Sequence, residues 1–168
     1  MSAACSATIL TVSDSCFRGE RVDGSGPALA AVLRSHGFVV EATQVVPDEV
    51  ETIAGALRTH AAKVSLVVTT GGTGIALRDV TPEATRAVCD RILDGFSERM
   101  RSEGLKQTPF APLSRAVCGT RGTTLILNLP GSPAGAVASL QAVLGLVPHA
   151  LQLLAGDTAH EDTAHSHP

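Results

Sequence analysis

The stretch Val64–Gly74, VSLVVTTGGTG, decides the fold. Val64–Thr70 is rich in β-branched side chains and nearly continuous in its apolar character. Such a run reads as a strand buried on both faces of a parallel sheet. Gly71-Gly72-Thr73-Gly74 then ends the strand in a flexible loop. Upstream, Asp48–Lys63 carries apolar Val50, Ile53, Ala54 and Leu57 at helical spacing, and Phe38–Val46 reads as another strand. Before that lies a helix with Pro27 at its first position, capped by Ser25 or Gly26. It carries Leu29, Val32 and Leu33, and Gly37 stops it. Ser13–Ser25 reads as a polar loop, and Ala7–Val12 (ATILTV) as the first strand. Strand, helix, strand, helix, strand implies a parallel sheet, and right-handed crossovers place helices on both faces.

Downstream of the glycine loop, Thr81 caps a helix with Pro82 at its first position, and a further helix covers Asp94–Glu103 and stops near Gly104. Pro109 and Pro112 mark Gln107–Ser114 as a loop. Arg115–Cys118 and Thr123–Leu129 read as strands around Gly119-Thr120-Arg121-Gly122, a turn suited to an antiparallel hairpin. Pro133–Leu154 is helical, with a break expected near Pro148. The reading is one α/β domain over residues 1–156. A tail over 157–168 repeats Asp-Thr-Ala-His and is expected to be disordered; its histidines read as solvated rather than as a metal trap.

Composition narrows the function. The 168 residues are 44% hydrophobic and 17% charged, with mean hydropathy +0.23. Those values exclude a disordered chain. Net charge is −3, there is no Trp or Tyr, and Lys63 and Lys106 are the lysines. Neither a basic face nor an aromatic platform for nucleic acid is present. Cys5, Cys16, Cys89 and Cys118 lack zinc spacing and suit a reducing compartment. No run reaches the ~20 apolar residues of a membrane span, and residues 1–8 do not read as a signal peptide. A cytoplasmic protein is expected.

Ligands of open α/β sheets bind beyond the carboxyl ends of the strands. Three polar segments leave those ends: Ser13-Asp14-Ser15, Thr69–Gly74 and Asn128–Pro133. The Gly71–Gly74 loop is a candidate anion cradle, because glycines let backbone N–H groups converge on phosphate oxygens. It is neither a Walker A loop nor a dinucleotide fingerprint, and it also reads as a plain glycine turn. Asp48, with Glu51 three residues on, fits a capping box, and Asp79 fits a carboxylate supporting the next helix. Both also suit Mg²⁺, which takes one or two carboxylates plus phosphate oxygens. Lys106 and Ser114-Arg115 could receive a second anionic group or be ordinary surface residues. No G-x-S-x-G signature supports a serine hydrolase.

Six segments taken in order resemble one family: TVSDSCFR (Thr11–Arg18), VVPDEVE (Val45–Glu51), VVTTGGTG (Val67–Gly74), RDVTPEAT (Arg78–Thr85), LSRAVCG (Leu113–Gly119) and LILNLPGSP (Leu125–Pro133). They resemble the molybdopterin adenylyltransferases of molybdenum cofactor biosynthesis: the bacterial Mog/MoaB type and the gephyrin and plant G domains. The resemblance runs from about Thr8 to Ala155. It implies a three-layer α/β/α fold, a mostly parallel sheet, and assembly as a homotrimer. It implies Mg²⁺-dependent transfer of AMP from ATP to the terminal phosphate of molybdopterin. A separate protein would insert molybdate.

On the same resemblance, Asp48 and Asp79 match the essential, metal-holding aspartates. Ser13, Asp14, Gly71, Gly72, Thr73, Gly74, Asn128, Pro130, Gly131 and Ser132 match the nucleotide side. Ser114, Arg115 and Lys106 match the molybdopterin side. Gly104 stands where relatives often carry Ser. The alternative is a catalytically inactive MoaB-type relative that binds pterin or acts as a trimeric scaffold.

Overall fold

A computed structural model of the chain describes residues 5–157. The elements run β1 (Ser6–Val12), α1 (Asp14–Phe17), α2 (Ser25–Ser35), β2 (Val39–Val46), α3 (Val50–Ala61), β3 (Leu66–Thr70), α4 (Thr81–Val88), β4 (Arg91–Ile92), α5 (Asp94–Gly104), β5 (Cys118–Arg121), β6 (Thr124–Leu129), α6 (Pro133–Leu144) and α7 (Val147–Leu154). One six-stranded sheet has the order β2-β1-β3-β6-β5-β4. β2, β1, β3 and β6 are mutually parallel, while β5 runs antiparallel to both β6 and β4. The α/β reading and its C-terminal antiparallel hairpin hold.

Alternation along the strands makes the layers. Leu66 and Val68 of β3 face one buried cluster with Leu29 and Leu33 of α2 and Leu140 and Val143 of α6. Val67 points the other way, into a cluster with Ile53 and Leu57 of α3 and Val88 of α4. A strand whose successive side chains are all buried needs helices on both faces, which is why this run shows no polar alternation.

Several local expectations are corrected. Ser13–Ser25 is not all loop. Ser13 caps the short helix α1, its hydroxyl accepting from Cys16 N–H at 3.2 Å. At α2 neither Ser25 nor Gly26 is the cap. Gly24 holds that position, and Asp23 accepts from the N–H groups of Ser25 and Gly26. Thr81 lies inside α4 after Val80. The hairpin strands sit further along than expected: Arg121 pairs with Thr124, so the reversal falls at Gly122-Thr123, where Gly122 has φ +54°. β4 was not foreseen, since a two-residue strand has no periodicity to read. The break after α6 falls at Gly145-Leu146, where α6 and α7 meet at 60°, and Pro148 stands in the first turn of α7. Among the described residues no single helix is long and apolar enough to cross a membrane. The expectation for the tail falls, beyond Asp157, outside the described residues.

Candidate active site

Register places the loops. Thr11 of β1 lies beside both Val45 of β2 and Thr70 of β3, and Thr70 lies beside Leu129 of β6. The four parallel strands therefore end together, and Ser13, Asp48, Gly71 and Pro130 all emerge at one edge. β1 sits between β2 and β3, so the chain reverses its direction across the sheet here. Open sheets bind ligands at such a switch point.

The glycine loop is held from several sides. Gly71 has φ +98°, and a Cβ there would overlap the Val12 carbonyl oxygen. Its N–H donates to the Leu129 carbonyl at 3.1 Å, and its own carbonyl accepts from the Thr81 hydroxyl at 2.9 Å. A Cβ at Gly131 would lie 3.3 Å from the Gly71 Cα. Thr70 donates from its hydroxyl to the Pro130 carbonyl at 2.7 Å, and Ser25 donates to the Gly131 carbonyl at 3.0 Å. The Gly71–Gly74 and Asn128–Ser132 segments thus pack as one unit.

Both aspartates border that loop. Asp48 Oδ1 lies 3.3 Å from where a Gly72 Cβ would stand, and Asp79 Oδ2 lies 2.7 Å from where a Gly74 Cβ would stand. Asp48 is not a helix cap. Glu49 takes the cap position of α3 without a side-chain bond. Instead Asp48 and Asp14 clasp each other: Asp48 Oδ2 accepts from Asp14 N–H at 2.8 Å, and Asp14 Oδ1 accepts from Asp48 N–H at 3.0 Å. Arg78 then pairs with Asp14. Asp79 Oδ2 accepts from Ala76 N–H at 2.9 Å and so closes its own loop.

The two clasped carboxyls are driven apart in acidity. The Asp48 N–H bond, with the Arg78 guanidinium, holds the Asp14 carboxyl below the usual carboxylate range. Burial pushes the Asp48 carboxyl up, with the negative charges of Asp14 and Asp79 adding to it. A raised carboxyl pKa means that the native state keeps its proton above the unfolded value of 3.8. That contribution to stability is present below 3.8 and is lost as pH rises through the raised value. Ionising Asp48 in the folded protein therefore costs stability. Asp48→Asn is expected to melt no lower than wild type at pH 7, with the difference closing toward pH 3.8. A lower melting temperature for the variant at pH 7 would contradict this account.

Beside the loop opens a cavity of about 490 Å³, between the glycine loop, α5, the 107–114 segment and the start of α6. Asp79, Gly72, Thr73, Gly74, Ser114, Asn128, Pro130, Gly131 and Ser132 line it. Ser13, Asp14, Asp48, Arg115 and Lys106 do not. Four of the expected ligand contacts are already engaged within the protein. Asn128 is fully buried. Its Nδ2 donates to the hydroxyls of Thr69 at 3.0 Å and Thr85 at 2.9 Å, and its Oδ1 accepts from Val117 N–H at 3.1 Å. Arg115 pairs with Glu83 and donates to the carbonyls of Gly74 at 2.7 Å and Asp79 at 2.6 Å, so it staples the loop that carries Asp79. Lys106 pairs with Glu103 at 2.7 Å. Ser132 caps α6, its hydroxyl accepting from Gly135 N–H at 3.2 Å.

The α5 wall of the cavity escaped the sequence reading, apart from Gly104. Ser97, Met100, Arg101 and Gly104 all line the cavity from α5. Their spacing of three and four residues along one helix face was the available signal. At Gly104 a Cβ would come within 2.9 Å of the Ala111 Cβ, so the glycine lets the short 3₁₀ turn Ala111–Leu113 close against α5. Cys118 and Cys89 stay thiols, each pushed up to about 11 by burial.

The residues present suit a Mg²⁺ ion. Asp48 and Asp79 each use Oδ2 to accept a backbone N–H, which leaves Oδ1 without a hydrogen bond among the described residues. Two carboxylate oxygens with phosphate oxygens and water are a donor set this ion favours.

Known proteins resemble this chain closely. The family described as "Probable molybdopterin binding domain" matches residues 8–149. The Drosophila melanogaster molybdenum cofactor synthesis protein cinnamon is 42% identical over 157 residues, 90% of this chain; the chain spans only 26% of cinnamon's length. A Helicobacter pylori molybdopterin adenylyltransferase is 41% identical over 153 residues, covering 89% of this chain and 87% of that protein. The crystal structure of the molybdopterin biosynthesis enzyme MoaB from Thermus thermophilus superimposes with a TM-score of 0.85 at 53% identity, over 90% of this chain and 97% of the other. With its ordered loop motifs gathered at one sheet edge, this chain belongs to the molybdopterin-binding domain family of molybdenum cofactor biosynthesis.

Proposed function

We propose that this chain is a nucleotidyltransferase that moves AMP from ATP to the terminal phosphate of molybdopterin. The observation that carries the reading is the placement of Asp48 and Asp79 against successive glycines of one loop, beside a cavity of small-molecule size. The naming of relatives as molybdopterin adenylyltransferases supports the choice of substrates.

An oxygen of the molybdopterin phosphate attacks the α-phosphorus of ATP. A new phosphoanhydride bond forms, the bond from the α-phosphorus to the bridging oxygen breaks, and pyrophosphate leaves with that electron pair. The attacking phosphate is ionised near neutral pH, so no strong general base is needed. The obstacle is the approach of two anions, and catalysis lies in positioning and charge stabilisation. Backbone N–H groups of Gly72, Thr73 and Gly74 donate to phosphate oxygens, while the Gly71 N–H stays on the Leu129 carbonyl. Asp48 and Asp79 are the residues that would hold a metal ion, and Arg115 fixes the loop bearing Asp79. A Mg²⁺ ion held there would supply positive charge to offset the repulsion between the two phosphates. The Asn128–Ser132 segment keeps the glycine loop in register, and Ser114 faces the acceptor. The homotrimer and the separate molybdate-inserting protein rest on the family resemblance, and the cytoplasmic setting on the scattered cysteines, which suit a reducing compartment.

The test is direct. Full-length protein with ATP, Mg²⁺ and molybdopterin should yield the AMP adduct and pyrophosphate in equal amounts, and nothing from ATP alone. Binding of both substrates without adduct would assign the chain to the pterin-binding relatives instead. ATP consumption without molybdopterin would make it a hydrolase.

A further inference from the structure

We propose that Arg101 is the specificity-determining residue that binds the phosphate of the acceptor, so that this cavity selects a phosphorylated pterin over the same pterin without its phosphate. The inference rests on the molybdopterin reading above and names the residue that recognises the anionic end.

The cations around the site differ in what they have left to give. Arg78 is paired with Asp14, Arg115 with Glu83, and both Arg99 and Lys106 with Glu103. Arg101 lines the cavity and has no carboxylate partner among the described residues. Its guanidinium makes one long hydrogen bond, from Nη1 to the Ser114 carbonyl at 3.3 Å. A guanidinium offers five N–H donors in a planar fork that matches a phosphate face. Most of that capacity points to no protein acceptor.

The surroundings favour an anion there. Glu103 also lines the cavity, but Lys106 and Arg99 already neutralise it. Ser114, whose carbonyl orients Arg101, immediately precedes Arg115, and the Arg115 N–H donates to the Thr73 carbonyl at 2.8 Å. The wall holding Arg101 is therefore tied through one peptide to the glycine loop. A phosphate gripped by Arg101 is held on the segment that adjoins the nucleotide side. Lys106 and Arg115, the basic residues that stand out beside Ser114 in the sequence, pair with Glu103 and Glu83 and do not line the cavity.

The test titrates the full chain, without ATP, with molybdopterin and with its dephosphorylated form, following pterin fluorescence. Wild type should bind the phosphorylated form more tightly by about 10- to 100-fold, the scale of a charge-assisted fork contact. Arg101→Gln should lose that preference and bind the two forms alike, with its affinity for the dephosphorylated form unchanged. Arg101→Lys should recover part of it. Undiminished preference in Arg101→Gln, or equal loss of both forms, would overturn the assignment, as would a wild type that does not discriminate. Because no transfer is measured, failure of the adenylyltransferase reading appears separately, as a missing adduct in a protein whose Arg101-dependent preference persists.

Discussion

Asp79→Asn should bind molybdopterin and ATP with little change, yet form the AMP adduct about 10²- to 10³-fold more slowly, the usual cost of removing one electrostatic contact to the transition state. The substitution isolates charge from structure. Asp79 Oδ2 accepts from Ala76 N–H, and an amide oxygen can accept the same bond. Arg115 grips the Asp79 carbonyl, which the substitution leaves in place. What the variant loses is the negative charge on Oδ1. A single-turnover assay at saturating Mg²⁺ reads the step, with pterin fluorescence checking binding. Undiminished turnover would remove Asp79 from the mechanism; loss of pterin binding would show that the carboxylate shapes the cavity instead.

Gly71→Ala should damage the protein more broadly. The residue combines φ +98° with a space already filled by the Val12 carbonyl oxygen. A methyl group there must push β1 and β3 apart where they emerge side by side. Left-handed strain and a backbone clash together should cost about 3 kcal/mol. For a chain of this size that corresponds to a fall in Tm of about 6–12 °C, read by thermal unfolding. Gly55→Ala, inside α3, is the matched control. A Cβ at Gly55 meets nothing within 4 Å, so the substitution should stabilise by about 0.5–1 kcal/mol through helix propensity. If Gly71→Ala melted like wild type, the close packing of the loop against Val12 would not describe the protein in solution.

These two expectations draw on different kinds of information. The glycine loop and its position after a buried strand were legible in VSLVVTTGGTG, because periodicity and glycine are local signals. So was the gathering of the Ser13, Gly71 and Pro130 segments at one edge, because a run of parallel strands sends their carboxyl ends the same way. Asp48 was legible as a residue but not in its role. Its spacing to Glu51 describes a cap, yet its partner is Asp14, 34 residues away. Asn128 likewise looked available to a ligand until Thr69, Thr85 and Val117 were found around it.

The alternation of strands and helices, the parallel sheet with its late hairpin, and the edge where ligands lie were readable in the residue order. Those follow from hydrophobic period and turn chemistry, which act between near neighbours. Which charges are neutralised, and which remain to meet a ligand, became visible in the folded chain. Arg115 and Lys106 are held by Glu83 and Glu103, while Arg101 faces the cavity without an acidic partner among the described residues. A side chain's charge is written in its residue type, but its neutralisation depends on what folds beside it.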